Sequence, residues 1–442
     1  MDWKFFGIIL MIGCPLFGQE TNEEYRTTTE ESIDDERLAQ SLNNFGYKLM
    51  IEIMKQNDEN LNIAISPMSI SSVLAMILLG SVGKTYDEIA KVLGFSNDIL
   101  TNRKNHEQFG KLLQALNTNT SSKTTYADAI FVDKDTRLRE VYRNYLEMVY
   151  HGEALSTEFS DRVKARQVIN EWVKEHTKDK IEEFLPQTLP ESTKVVLLSA
   201  HYFSGQWKTP FLPEFTKKLP FKTPTEEITA ELMANFGNFD YIFSMEDQLH
   251  MVAFPYNDSM TTMYALKPRI PKRLSLFDLL NKLDYAKIES LINRMVKRNC
   301  VIRFPKMELQ SNFKLKAPLK SLGVNTMFNP DEANFALMVD GNNVVNKTES
   351  ELIGRINTGE LEARGLKELV DELVNPGVHV DSVIHEVKMT VNEFGTEAVA
   401  ATSAVTTRSA ELFYADSPFY LFIRNEKTKL VTFSAIIFNP NV

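Results

Sequence analysis

The residues that could do chemistry are few, and most of them fail on spacing. The run Gly80-Ser-Val-Gly-Lys-Thr85 has the residue types of a phosphate-binding loop. It lacks the geometry: position 78 is Leu where such a loop needs Gly, and an apolar helical pattern precedes it where a strand is required. There is no G-x-S-x-G, no H-E-x-x-H and no Cys–His metal spacing, so the chain reads as no enzyme, with no metal and no cofactor. What remains is a stretch near the C-terminus, Val391 to Pro418, which holds Arg408 and Ser409 among small residues. Before Gly395 the types alternate: Val387, Met389 and Val391 are apolar, while Lys388, Thr390 and Asn392 are polar, the period of a half-buried strand. After Gly395 the alternation continues with small side chains, Thr396, Ala398, Ala400, Thr402 and Ala404 on one face and Glu397, Val399, Ala401 and Ser403 on the other. Such a segment can enter a sheet without overpacking it, yet has no large apolar group to hold it there. It fits a strand and an exposed loop equally, which makes it a candidate switch.

The elements that position this stretch can be read from the rest of the chain. From Asn62 a short strand reaches Ser66, and an apolar helix runs from Pro67 to about Leu79, with Pro suited to its first turn. Gly80 and Gly83 break it, and Thr85 with Glu88 is expected to form a capping box for the next helix. Lys194 to Trp207 is a long, nearly continuous apolar run, as in a sheet covered on both faces. Ile169, Trp172, Val173 and His176 keep helical spacing.

Together these segments resemble the serpins, suicide inhibitors of serine proteases. The resemblance rests on N-E-F-G-T-E-A-V-A-A-T at 392–402, A-D-S-P-F-Y-L-F-I-R-N at 415–425, Asn62 to Phe95, Thr125 to Val132, Lys194 to Trp207, Phe254-Pro-Tyr, Phe304-Pro-Lys, Leu322-Gly-Val and Phe438-Asn-Pro. It spans about Leu38 to Pro440 and implies one α+β domain, residues 38–442, of large mixed sheets surrounded by helices. Residues 393–415 would be the reactive-centre loop, with Glu393, Gly395, Thr396, Glu397, Ala398, Ala400, Ala401 and Thr402 as its hinge. The family spacing counted from Glu393 puts the scissile bond after Ser409, as for an elastase-like target. A hinge one residue shorter puts it after Arg408, the choice preferred here, because Arg fills the acidic specificity pocket of a trypsin-like protease. The implied partner is that protease, held covalently by a monomeric inhibitor. The alternative within the family is a non-inhibitory carrier, chaperone or protease substrate, against which the small hinge residues argue.

The sequence also departs from the family. Ser199 stands where Asn is usual, in a polar cluster under the sheet opening that would include Ser66, Ser69 and His385. The shorter side chain is expected to leave a gap or take a water. His385 reads as a satisfied core histidine. Phe394 and Val399 replace a usually polar residue and a usual Ala, which suggests slower insertion. Residues 339–374 are an insertion before the hinge strand, with Leu366, Leu369, Val370 and Leu373 on one helical face.

Composition bounds the rest. The chain has 442 residues and a net charge of −10, which argues against a nucleic-acid partner. Residues 1–18 read as a secretory leader, with Lys4 before an apolar run too short to span a membrane. Cys14 after Gly13 also resembles a lipoprotein site, which the family resemblance disfavours. Residues 19–37 carry eight acids against Arg26 and Arg37 and read as an unstructured acidic tail, or an arm for a basic protease exosite. Loss of the leader would leave Cys300 alone, a small buried residue on a strand. Three acceptor sequons, at Asn119, Asn257 and Asn346, suit an extracellular glycoprotein.

Overall fold

The computed structural model describes residues 23–58, 60–97, 99–117, 123–340, 375–395 and 410–442. Its helices are α1 (Glu23–Gln56), α2 (Pro67–Leu79), α3 (Gly83–Leu93), α4 (Ile99–Asn117), α5 (Glu140–Tyr150), α6 (Arg162–His176), α7 (Leu276–Lys282), α8 (Tyr285–Asn293) and α9 (Lys316–Ser321). Its strands are β1 (Ile63–Ile65), β2 (Lys123–Asp133), β3 (Glu153–Thr157), β4 (Val195–Ser204), β5 (Lys217–Lys222), β6 (Glu227–Ser244), β7 (Leu249–Pro255), β8 (Thr261–Pro268), β9 (Val296–Pro305), β10 (Met307–Lys314), β11 (Val380–Val391), β12 (Glu411–Tyr414), β13 (Phe419–Asn425) and β14 (Val431–Ile437).

Two sheets organise the chain. One has nine strands, in the order β1-β14-β13-β8-β7-β6-β9-β12, with β5 paired to β6. The other has five, in the order β10-β11-β4-β2-β3. Helix α2 is buried along almost its whole length and touches β2, β4 and β14, which explains why its sequence is apolar apart from Ser69, Ser71 and Ser72. Ser66 caps it, accepting from the Ser69 amide at 3.2 Å, and Pro67 takes the first turn. Helix α6 covers the opposite face of the five-stranded sheet, where Ala165, Ile169 and Val173 pack on Ala127, Ala129, Phe131, Val196, Leu198, Ala200 and Ile384. With both faces covered, β4 is buried at nine of its ten positions and needs no alternation.

Two expectations are corrected. The acidic stretch read as an unstructured tail is helical from Glu23, where α1 begins. The capping box at Thr85 and Glu88 does not form. Helix α3 starts earlier, at Gly83 behind Val82, and both side chains serve a neighbouring loop. Thr85 Oγ1 accepts from the Asn334 amide at 3.0 Å, and the Glu88 carboxylate accepts from the Asn325 and Thr326 amides at 2.7 Å each. Of the insertion, only Val339 and Asp340 are described; the helix expected over 366–373 lies outside the described residues. Cys300 is buried on β9, and burial pushes its thiol up to about 11.

Candidate functional site: the sheet opening and the hinge

The five-stranded sheet has an unusual centre. Strand β11 pairs antiparallel with β10, and β4 pairs antiparallel with β2, but β11 and β4 lie parallel to each other. The register sets Met389 opposite Phe203, His385 opposite Ser199 and Val380 opposite Val195. A parallel pair binds slightly less well per residue than an antiparallel one; the sheet has a second parallel pair, β2–β3, at its edge, so this seam is the weaker kind of pairing placed at the sheet's interior.

A polar network closes the seam from beneath. His385 Nε2 accepts from the Ser66 amide at 2.8 Å, so the proton sits on Nδ1. Nδ1 therefore donates to Ser199 Oγ at 3.0 Å. The Ser199 hydroxyl bonds in turn to the Asp128 carboxylate, which also takes hydroxyls from Ser69, at 2.7 Å, and Ser72. Ser66 Oγ donates to the Thr432 carbonyl at 2.7 Å and so ties the cluster to β14. Burial drives His385 down to about 3, so it stays neutral. Burial drives Asp128 up to about 7, against the three hydroxyls that favour its charged form.

The four cluster residues read from the sequence, Ser66, Ser69, Ser199 and His385, thus meet. Where the sequence suggested a gap or a water beside Ser199, Asp128 on β2 takes the hydroxyl. Asp128 was missed, although the sequence carried a signal: alternation along Tyr126-Ala-Asp-Ala-Ile places it with Tyr126 and Ile130 on an apolar strand, where an acid needs partners. His201, two residues past Ser199, was missed too. It is fully buried, stacks on Tyr126 at 4.8 Å and finds no partner for either nitrogen among the described residues.

The stretch read from the sequence as a hinge begins at the top of the same seam. Asn392 and Gly395 exchange backbone bonds of 3.3 Å, a tight turn that reverses the chain after β11. Gly395 then bridges antiparallel to Gln206, just past the end of β4. It has φ +102°, and a Cβ there would lie 2.0 Å from the Gly205 carbonyl oxygen, so only glycine fits. The Glu393 carboxylate is buried. It accepts from Thr216 Oγ1 at 2.9 Å and pairs with Lys306 Nζ at 3.4 Å. Burial opposes its charge, but its own backbone amide, the Thr216 hydroxyl and the Lys306 ammonium outweigh that and hold it below the usual carboxylate range. Trp207 Nε1 donates to the Asn392 carbonyl at 2.9 Å, and its indole stacks on Tyr256 at 4.5 Å. Lys306, Thr216 and Trp207 lie far from the hinge in sequence, and nothing local announces them.

Thr396, Glu397, Ala398, Ala400, Ala401, Thr402, Arg408 and Ser409 lie outside the described residues, as do Asn119 and Asn346. Asn257 is exposed, and its side-chain amide donates to Gln206 Oε1 at 2.8 Å. Among the described residues no group of three or more His, Cys, Asp or Glu converges as a metal site would.

Comparison with known proteins agrees with this architecture. The family profile described as "Serpin (serine protease inhibitor)" matches residues 40–440. The chain therefore belongs to the serpin family. It is 29% identical to Serine protease inhibitor 28Dc of Drosophila melanogaster, over 92% of this chain and 80% of that protein. It is 27% identical to Plasminogen activator inhibitor 1 of Neovison vison, over 98% and 99%. The solved structure of native protease nexin-1 with heparin superposes with a TM-score of 0.75 at 26% identity, covering 92% of this chain and 100% of that one. Thyroxine-binding globulin shares the fold, with a TM-score of 0.78 at 21% identity over 92% and 100%. The family thus holds protease inhibitors and proteins of other function, and its members are generally not catalytic enzymes.

Proposed function

We propose that this chain is a secreted suicide inhibitor of a trypsin-like serine protease, cleaved after Arg408. The observation that carries the reading is the parallel β4–β11 seam, with the hinge turn already setting Gly395 antiparallel to Gln206 at its mouth. A strand inserted there would run antiparallel to both neighbours and replace one weak pairing with two stronger ones.

The register of insertion follows from pairings already present. Extending the ladder from the Gly395 bridges sets Ala398 between Phe203 and Met389, and Thr402 between Ser199 and His385. Directly opposed residues share a face, so Thr396, Ala398, Ala400, Thr402 and Ala404 would point inward with His385, where the core is already full. Their small size is what that space demands. Thr406 would lie opposite Val195 and Thr407 opposite Val380, the first residues of β4 and β11, which an antiparallel insert reaches last. The ladder runs out there, just short of Arg408, so a group attached at 408 would be carried the length of the sheet.

The chemistry belongs to the protease. Its serine oxygen attacks the Arg408 carbonyl carbon, the bond to the Ser409 nitrogen breaks, and an ester remains. Insertion then drags the tethered protease along and pulls the ester carbonyl out of line with the protease's oxyanion donors before water can complete hydrolysis. The inhibitor contributes the loop and the strained sheet, and no catalytic residue.

Incubation with trypsin tests this directly. The expected result is an SDS-resistant covalent complex and a released C-terminal fragment beginning at Ser409. Clean cleavage with no complex would favour a non-inhibitory serpin, and a fragment beginning at Ala410 would move the target class to elastase-like enzymes.

A further inference from the structure

A cavity of about 390 Å³ opens beside β12, the edge strand that follows the reactive loop. Lys222 at the end of β5, Lys267 on β8, and Arg269 and Lys272 just after β8 line it together with Leu412 and Asp416. The charges are unbalanced. Asp416 is committed to Lys267, whose buried ammonium sits 2.8 Å from it and also donates to the Tyr414 carbonyl. Lys222, Arg269 and Lys272 are exposed, and among the described residues none of them forms an ion pair. Arg269 instead lies over the Phe243 ring at 4.5 Å. Three cations without an ion pair among the described residues, of which Arg269 is held by Phe243 and by Met245 Sδ, therefore surround a floor that includes exposed Leu412 and Ile270, on a chain whose net charge is −10. Such a local reversal of field in a concave surface concentrates anionic partners.

Its place limits what the partner can be. Arg408 precedes Leu412 by four residues, so even a fully extended chain separates them by no more than roughly 14 Å. A protease engaged at Arg408–Ser409 would lie over this cavity. We propose that the cavity is a prime-side exosite that receives an acidic surface loop of the target protease, its carboxylates meeting Lys222, Arg269 and Lys272 and an apolar side chain resting on Leu412. This rests on the inhibitory reading and adds a determinant of which trypsin-like enzyme is chosen. Contacts of this kind act mainly on the rate of association and weaken with salt.

Two forms of one enzyme supply the probe: anionic and cationic trypsin, which cleave after the same residues but carry opposite surface charge. At low salt the wild-type inhibitor is expected to trap the anionic form faster, and Lys222→Glu with Lys272→Glu to reduce that preference by about tenfold. Because both residues are exposed, the variant should fold; Lys222→Gln with Lys272→Gln should show an intermediate loss. A control reversal at Lys48 and Lys91, on α1 and α3, should leave the preference intact. Saturable low-salt binding of a labelled hexaglutamate peptide, lost in the cavity variant and kept in the control, is the second readout. A preference unchanged by the cavity variant, or peptide binding equal in all forms, overturns the exosite. If no form yields an SDS-resistant complex, the inhibitory reading fails, and the peptide assay alone then decides whether the cavity recognises acidic chains.

Discussion

Replacing Asp128 by Asn should stabilise the closed sheet at neutral and alkaline pH and change little in acid. The carboxyl titrates near 7 in the folded chain, against an ordinary value near 4, because burial outweighs the hydroxyls of Ser69, Ser199 and Ser72. Between those values the folded state keeps a proton that the unfolded chain releases. Stability therefore falls as pH rises from about 4 to about 7 and stays at the lower level above. At about 1.4 kcal/mol per unit the loss is of order 4 kcal/mol at most, and smaller because the half-buried carboxylate is partly screened. The wild-type profile alone will not show this. Burial holds His106, His201 and His385 at about 3 and His250 at about 4. Each of them costs stability as pH falls below about 6.5, where the unfolded chain gains a proton that the folded one refuses. Their slope opposes that of Asp128 in the same window. The informative quantity is the difference between wild type and Asp128→Asn in denaturant midpoint, measured from pH 4.5 to 8.5. It should be near zero at the acid end and grow by about 1–3 kcal/mol through pH 7 in favour of Asn. A flat difference, or a variant less stable than wild type at pH 8, would show that the serine hydroxyls balance the charge and that the argument is wrong.

Three further outcomes follow from the hinge and the register. Gly395→Ala should cost more than about 1–3 kcal/mol of local strain and loosen the turn, because φ +102° and the Gly205 carbonyl both exclude a Cβ; faster proteolysis within 393–415 at unchanged core stability would report it. Glu393→Gln removes the charge that Lys306 and Thr216 hold and should destabilise the native form by about 1–2 kcal/mol, with the loss reduced in high salt; an equal loss at all salts would assign the effect to packing. Thr402→Val should leave the uncleaved protein's unfolding midpoint unchanged yet lower that of the cleaved form by about 1–3 kcal/mol, with Thr402→Ser restoring it; equal effects on both forms would place residue 402 elsewhere than between Ser199 and His385.

Pattern and position account for what could be read from sequence and what could not. Helices α2 and α6 and strand β4 show plainly in the residues, since each has one strong periodicity or one unbroken apolar run, whereas β2 was read through the family resemblance. The capping box failed because a Thr-x-x-Glu pair records only local options, and here a loop more than two hundred residues away offered better donors. The same limit hid the hinge's supports: Lys306 and Thr216 matter only once folding brings β9's end and the β5 approach beside Glu393.

Ser199 is the instructive case, because a single substitution looked like a defect until its neighbours were in place. A hydroxyl reaches less far than an amide, yet the network stays satisfied, since Asp128 supplies the acceptor that Ser199 needs as a donor. The exchange has a physical consequence. Hydrogen bonds that close the seam now end on a carboxylate that burial disfavours, so the network is complete but not at its most stable. On the proposed inhibitory mechanism the seam would have to hold before cleavage and part after it, which suits a closure that is neither loose nor deep. If Thr402 enters between Ser199 and His385, its hydroxyl can take up the bond those two surrender, and opening then leaves no buried group unpaired. The barrier to insertion would lie in parting the β4–β11 ladder, while the polar cluster beneath it exchanges one partner for another.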